Sequence, residues 1–378
     1  MISRISILEK NLNDLFIQLK RSKCERQMIS QKKAFEFLNW SVKLRYEENE
    51  IDSYQLNDIA YDIISQYPVM KPIFTEILKK KNDFKELERW KLLNIKSDLF
   101  PKKFPFKEKE DDSLYVENSK YLGLPKNISV KMCSLDDEIE EAITAIETSN
   151  KDAFSVVGFD CEWSPLYENE MVSIIQVSLN DKCFIIDNIY GNHKLIIKFI
   201  KNLFSAENLI KLGKDPKNDL KYLLKCYPNI DILKKPSHTI CLTNLITNFN
   251  TASSSKLNNK TDKKILNIEF FKPNWKELFY NNDLQTNLEK ENRDLNKTIQ
   301  KASFSKLCKL ILDKELNKSE QISIWDRKPL RISQLRYAAL DAEASRMIYY
   351  KLEEWGKILN IDVKNIAHNC FSKKVKKI

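Results

Sequence analysis

Val156-Val157-Gly158-Phe159-Asp160-Cys161-Glu162-Trp163 is an apolar run that climbs to two acids separated by one residue. On a strand successive side chains alternate faces, so Asp160 and Glu162 project to the same side. Carboxylates held that close raise each other's pKa unless a cation sits between them. Hard divalent ions with oxygen ligands, such as Mg²⁺ or Mn²⁺, meet that need. Taken alone, an Asp-x-Glu at a strand end is more often simply solvated. The segments around it carry the decision.

Upstream, Asn127 to Met132 reads as a strand and Leu135 to Thr148 as a helix with acids in its first turns. After the strand Phe154–Cys161 come Val172 to Ser178 and Cys183 to Asp187, two further strands around the turn Asn180-Asp181. Three consecutive strands with short links predict an antiparallel meander. A helix, His193 to Phe204, and an apolar segment, Leu209 to Gly213, continue the alternation, so the class is α/β with a mixed sheet.

Two later motifs supply further acids. Pro216 opens a helix that buries Leu220, Leu223 and Leu224, which puts Asp219 near its N-terminal turn. Near the end, Ser333 to Ala344 is a helix on which Tyr337 and Asp341, four residues apart, share one face. The small side chains Ala338 and Ala339 let that helix approach other backbone closely. Each of these residues alone has an ordinary explanation, Asp219 as complement to a helix dipole above all.

The first hundred residues differ. Apolar stripes at helical spacing run through Ile5–Leu19, Ala34–Val42, Leu56–Ile63, Ile73–Leu78 and Phe84–Trp90, with no strand-like alternation. They predict an all-α unit over 1–100. A proline-punctuated, charged linker over 101–121 separates it from a second domain over 122–360. The part from about 243 to 303, rich in Asn, Lys, Ser and Thr, reads as a polar surface insertion, and 361–378 as a basic tail.

The chain has 378 residues, 42% of them hydrophobic and 31% charged, enough for two cored domains. A formal charge of +10 permits a polyanionic partner. The eight cysteines form no C-x-x-C pair, which argues against a zinc site. No apolar run approaches the ~20 residues that span a bilayer, and the N-terminus lacks a signal h-region. The expected compartment is reducing, cytoplasm or nucleus, with no membrane.

Asp-x-Glu on a strand, a helix-borne Asp after Gly213, and Tyr-x-x-x-Asp on a late helix together resemble the DEDDy subclass of DnaQ-like, ribonuclease-H-like 3′–5′ exonucleases. Leu316-Asn317-Lys318-Ser319-Glu320-Gln321, Trp325 to Leu330, and Gln334 to Asp341 look most like the Nibbler and Mut-seven-type branch. Werner-type exonucleases and ribonuclease D share a looser form. The resemblance covers roughly 120–355. It implies that Asp160, Glu162, Asp219 and Asp341 hold two divalent ions, Mg²⁺ or Mn²⁺, and that Tyr337 orients the attacking water. A phenol with pKa near 10 is a poor base at neutral pH, which agrees with orientation.

The implied activity is trimming of single-stranded RNA 3′ ends to nucleoside 5′-monophosphates, in a small-RNA context. A Werner-like DNA exonuclease of repair is the alternative, and a non-catalytic nucleic-acid-binding scaffold the reading of another class. Trp163, Gln176, Arg327, Lys328 and Arg336 are candidates to touch the nucleic acid, and the helical unit to bind a protein partner. The histidines His193, His238 and His368 fit no motif position and receive no role.

Overall fold

A computed structural model describes residues 27–95, 105, 113–118, 120–152, 154–168, 171–257 and 288–375. The stripe Ile5–Leu19, most of the linker and the middle of the polar segment lie outside the described residues.

Four of the expected N-terminal helices form: α1 (Gln31–Lys43), α2 (Ser53–Gln66), α3 (Met70–Lys80) and α4 (Phe84–Leu92). Asp52 and Gln55 start α2 with a capping box, each side chain taking the other's backbone N–H at 2.9 and 2.8 Å. The helices close over Leu38, Ile59, Ile63, Phe74 and Trp90, all buried. Phe74 and Trp90 meet edge to face at 4.9 Å, and Trp90 Nε1 donates to Asn57 Oδ1 at 2.8 Å. This core also takes in Leu166 and Ile324 from the following domain, so the two units share apolar packing.

The second unit is built on a mixed sheet, as expected; it has six strands, the short Thr239–Cys241 joining the five read from the sequence. Its strands are β1 (Ser129–Cys133), β2 (Ser155–Trp163), β3 (Val172–Leu179), β4 (Lys182–Asp187), β5 (Leu209–Gly213) and β6 (Thr239–Cys241), in the order β1-β4-β3-β2-β5-β6. β2, β3 and β4 form the meander. β1 lies parallel to β4, and β5 and β6 continue parallel beside β2. Asn180, at the β3–β4 turn, takes φ 55°, a conformation asparagine tolerates.

Both faces of the sheet are covered, which is why β3 is buried along its whole length. One face packs Val157, Phe159, Ile175 and Phe184 under α5 (Asp136–Ser149), α6 (His193–Ser205) and α7 (Pro216–Cys226). The other packs Val156, Ile174 and Ile210 under α8 (Leu242–Leu257), α9 (Leu288–Lys301), α10 (Phe304–Leu312) and α11 (Ile332–Leu359), followed by α12 (Val363–Val375).

Two expectations are corrected here. The described ends of the polar segment are helices, not an open surface insertion: α8 buries Leu245, Ile246 and Phe249, and α9 buries Leu295 and Ile299. Likewise the stretch read as a basic tail is α12, which buries Val363, Ala367 and Cys370. Those three sit at helical spacing, a stripe masked by the lysines around it.

Candidate active site

The site forms where β2 passes beneath α11. Gly158, Asp160 and Glu162 alternate onto the face that α11 covers, and a side chain at Gly158 would not fit. A Cβ there would stand 1.9 Å from the Ala342 carbonyl oxygen. Glycine on the strand and alanine on the helix thus let two backbones touch, as the small residues of α11 led one to expect. That approach delivers Asp341, beside Ala342, to the two strand acids.

Carboxylate oxygens of Asp160, Glu162 and Asp341 all lie within 4.8 Å of one another. Burial raises the pKa of Asp160 and Glu162 well above the ordinary range, and their acidic neighbours push further in the same direction. Burial also lifts Asp341 to about 7, while the hydrogen bond from Tyr337 and the charge of Lys318 pull it back down. Tyr337 stands one helical turn before Asp341, its ring 5.8 Å from that of Trp325. Burial and then the charge of Asp341 hold its phenol well above the usual value, so it stays protonated and donates to Asp341.

Asp219 arrives from the first turn of α7. Gly213, at the end of β5, brings that turn against β2, since a Cβ there would meet the Phe159 carbonyl at 2.8 Å. Asp219 is buried, yet its Oδ2 has no hydrogen-bond partner. Burial and the neighbouring Asp215 raise it to about 8, and its charge in turn raises Asp160. Asp219 lies outside the 4.8 Å group, yet its charge also raises Glu162, and a buried carboxylate oxygen without a donor near other acids is expensive unless a cation completes it. The donor set is entirely carboxylate oxygen, which suits a hard divalent ion. No histidine joins the cluster among the described residues.

The proposed substrate contacts fare differently. Arg327 is buried, its Nε 2.9 Å from Asp58, with a further bond to the Pro329 carbonyl, so it is spent on the fold rather than facing solvent for a phosphate. Lys328 is committed to Asp187 at 3.1 Å. Gln176 is fully buried at the position paired with Asp160 across the strands. Trp163, half-buried at the end of β2, lies with its ring 4.1 Å from that of Tyr222. Arg336 stays partly exposed, donating to the Ser113 carbonyl.

A family model for the 3′–5′ exonuclease domain matches residues 130–356, the span that carries all five of these site residues. The chain belongs to the 3′–5′ exonuclease family. Among curated proteins it is similar to an exonuclease mut-7 homolog of Aedes aegypti, 27% identical over 57% of this chain and 26% of that protein. It is also similar to exonuclease mut-7 of Caenorhabditis elegans, 23% identical over 94% of this chain and 39% of that protein. The chain therefore spans between about a quarter and two fifths of these two relatives, which lie in the branch its motifs resemble. The crystal structure of the Aedes aegypti Nibbler EXO domain covers 67% of the chain and 100% of that domain, at 22% identity and a TM-score of 0.47.

Proposed function

We propose that this exonuclease is a divalent-metal-dependent 3′–5′ exoribonuclease that shortens single-stranded 3′ ends and releases nucleoside 5′-monophosphates. The observation that carries the reading is the part-buried Asp160–Glu162–Asp341 cluster with Tyr337 bonded to Asp341 and Asp219, its Oδ2 without a partner, near enough to raise Asp160 and Glu162. Asp160, Glu162 and Asp341 would hold one ion and Asp219 a second; Mg²⁺ or Mn²⁺ so placed supplies Lewis acidity toward the phosphodiester and its leaving oxygen. Tyr337 keeps its proton and fixes the direction of a hydrogen bond at the cluster, the property needed to orient a water rather than to deprotonate it.

RNA is favoured over DNA by the run Leu316 to Leu330, which resembles the Nibbler-type branch more closely than the Werner type. A role in small-RNA maturation, in cytoplasm or nucleus, follows from the same likeness. No helix among the described residues is long and apolar enough to cross a membrane. The exonuclease domain is assigned to 122–360. The exposed Val69, Phe84 and Leu92 of the helical unit suit a protein partner.

The test is an RNA with a single-stranded 3′ end, labelled at its 5′ end and incubated with Mn²⁺ or Mg²⁺, beside a matched DNA and the Asp160→Ala variant. A ladder shortening from the 3′ end of RNA, absent in the variant and in EDTA, is expected. Shortening of DNA alone would establish the repair-type enzyme instead. Binding without release of monophosphate would leave a scaffold.

A further inference from the structure

The helical unit and the catalytic helix meet at four buried charges. Asp58, on α2, is 1% exposed, and its Oδ2 takes Arg327 Nε at 2.9 Å together with a hydrogen bond from Arg331 Nη1. Arg331 Nη2 donates in turn to Glu320 Oε2 at 2.7 Å. Arg327, Arg331 and Glu320 are themselves buried, and two cations against two anions leave the quartet neutral. Desolvation cancels most of the attraction in such an arrangement, so it contributes little net stability. What it does supply is a defined geometry.

That geometry is applied to the start of α11. Arg331 is the N-cap of this helix, its backbone N–H donating to Gln334 Oε1 at 3.0 Å, while Gln334 Nε2 donates to the Ile324 carbonyl at 3.2 Å. On the same loop Asp326 accepts from Ser173 Oγ of β3 at 2.5 Å, and its N–H donates to Ser164 Oγ just past β2 at 3.0 Å. From the other side Gln55 of α2 donates to the Ser319 carbonyl at 2.6 Å. The segment between Ser319 and Arg331 is therefore gripped by the catalytic sheet and by α2 at once. Tyr337 and Asp341 follow on the helix that this segment launches.

We propose that Asp58 is a positioning residue for catalysis: by holding Arg327 and Arg331 it sets the origin and rotation of α11, and so where Tyr337 and Asp341 stand against Asp160 and Glu162. The helical unit is then part of the frame of the active site, an inference that rests on the exonuclease reading above. A rotation of about 10° moves an atom about 6 Å from a helix axis by about 1 Å, and misplacement of that size costs about a hundredfold in rate.

The test uses the full chain with Asp58→Asn and, separately, the double variant Asp58→Leu with Arg327→Met. The double variant removes one opposite pair together and leaves Arg331 with Glu320, a replacement that buried ion pairs tolerate. Melting temperature, kcat and KM on single-stranded RNA, and Mn²⁺ affinity by calorimetry are measured for each. The double variant should melt close to wild type, lose roughly ten- to a hundredfold in kcat with KM little changed, and bind Mn²⁺ more weakly. Wild-type kcat and Mn²⁺ affinity in the folded double variant would overturn the proposal. Unfolding of both variants would overturn it as well, since the quartet would then support the fold and not guide one helix. If wild type cuts neither RNA nor DNA, the exonuclease reading fails, and the Mn²⁺ affinities still decide whether Asp58 positions Asp341.

Discussion

Replacing Asp341 by asparagine should stabilise the metal-free protein above neutral pH, although it removes one of the proposed metal ligands. Burial holds the Asp341 carboxyl up to about 7, whereas in the unfolded chain it ionises near 3.9. Between those values the unfolded chain has released a proton that the folded protein keeps. Stability from this group is therefore full below about pH 4, declines as pH rises to about 7, and is level beyond. Three pH units at about 1.4 kcal/mol each make the loss about 4 kcal/mol. Asp341→Asn escapes this loss but weakens the bond with Tyr337, at a cost of about 1–2 kcal/mol. The net gain is about 2–3 kcal/mol, on the order of 5 °C in melting temperature for a domain of this size. Thermal melts in EDTA at acidic and alkaline pH, repeated with Mn²⁺, measure it. The variant should melt higher than wild type only in alkaline EDTA, and lower once Mn²⁺ is added. A variant melting no higher than wild type in alkaline EDTA would refute the claim that the cluster is strained for want of a cation.

Three further outcomes are expected. Lys211, wholly buried in β5 with Nζ donating to the Ala206 carbonyl at 2.7 Å, is pushed down to about 7 by burial. The unfolded chain holds that proton up to about pH 10, so stability rises with pH between about 7 and 10. Lys211→Met should accordingly gain about 2 kcal/mol at neutral pH, after allowing for the orphaned carbonyl, and the gain should fade toward pH 10 in denaturant titrations. Gly158→Ala should cost at least about 2 kcal/mol and abolish Mn²⁺ binding, because its Cβ would force the Ala342 backbone away; melting and calorimetry read both. Tyr337→Phe keeps the ring beside Trp325 and removes only the hydroxyl, so kcat should fall about a hundredfold with KM nearly unchanged in single-turnover and steady-state assays.

What could be read from the chain alone follows the range of the physics involved. Asp160 with Glu162, and Tyr337 with Asp341, were legible because each pair is set by the period of one strand or one helix, and the meander because its links are short. Ala338 and Ala339 announced a close helix approach, but its partner, Gly158, was hidden because one glycine in an apolar run does not say what passes over it. Lys211 was read as part of an apolar strand; nothing local shows that its ammonium is buried and bonded to a carbonyl. Lysines and asparagines are prominent in α8, α9 and α12, so composition pointed to open surface where a few buried apolar side chains on each helix decide.

Arg327 shows the limit most clearly. As an arginine in a loop beside catalytic motifs it invited a phosphate, yet its partner Asp58 comes from the helical unit, and the Asp58–Arg331 bond of the same quartet joins residues 273 apart. No periodicity reports a contact at that separation. The same distance gives the pairing its consequence. A charge that crosses from one unit to another, and closes on the N-cap of the helix bearing Tyr337 and Asp341, would on the proposal above make catalytic geometry depend on Asp58, which no catalytic motif contains. The acids of an exonuclease site would then be complete in sequence while a residue outside the matched span 130–356 holds their alignment.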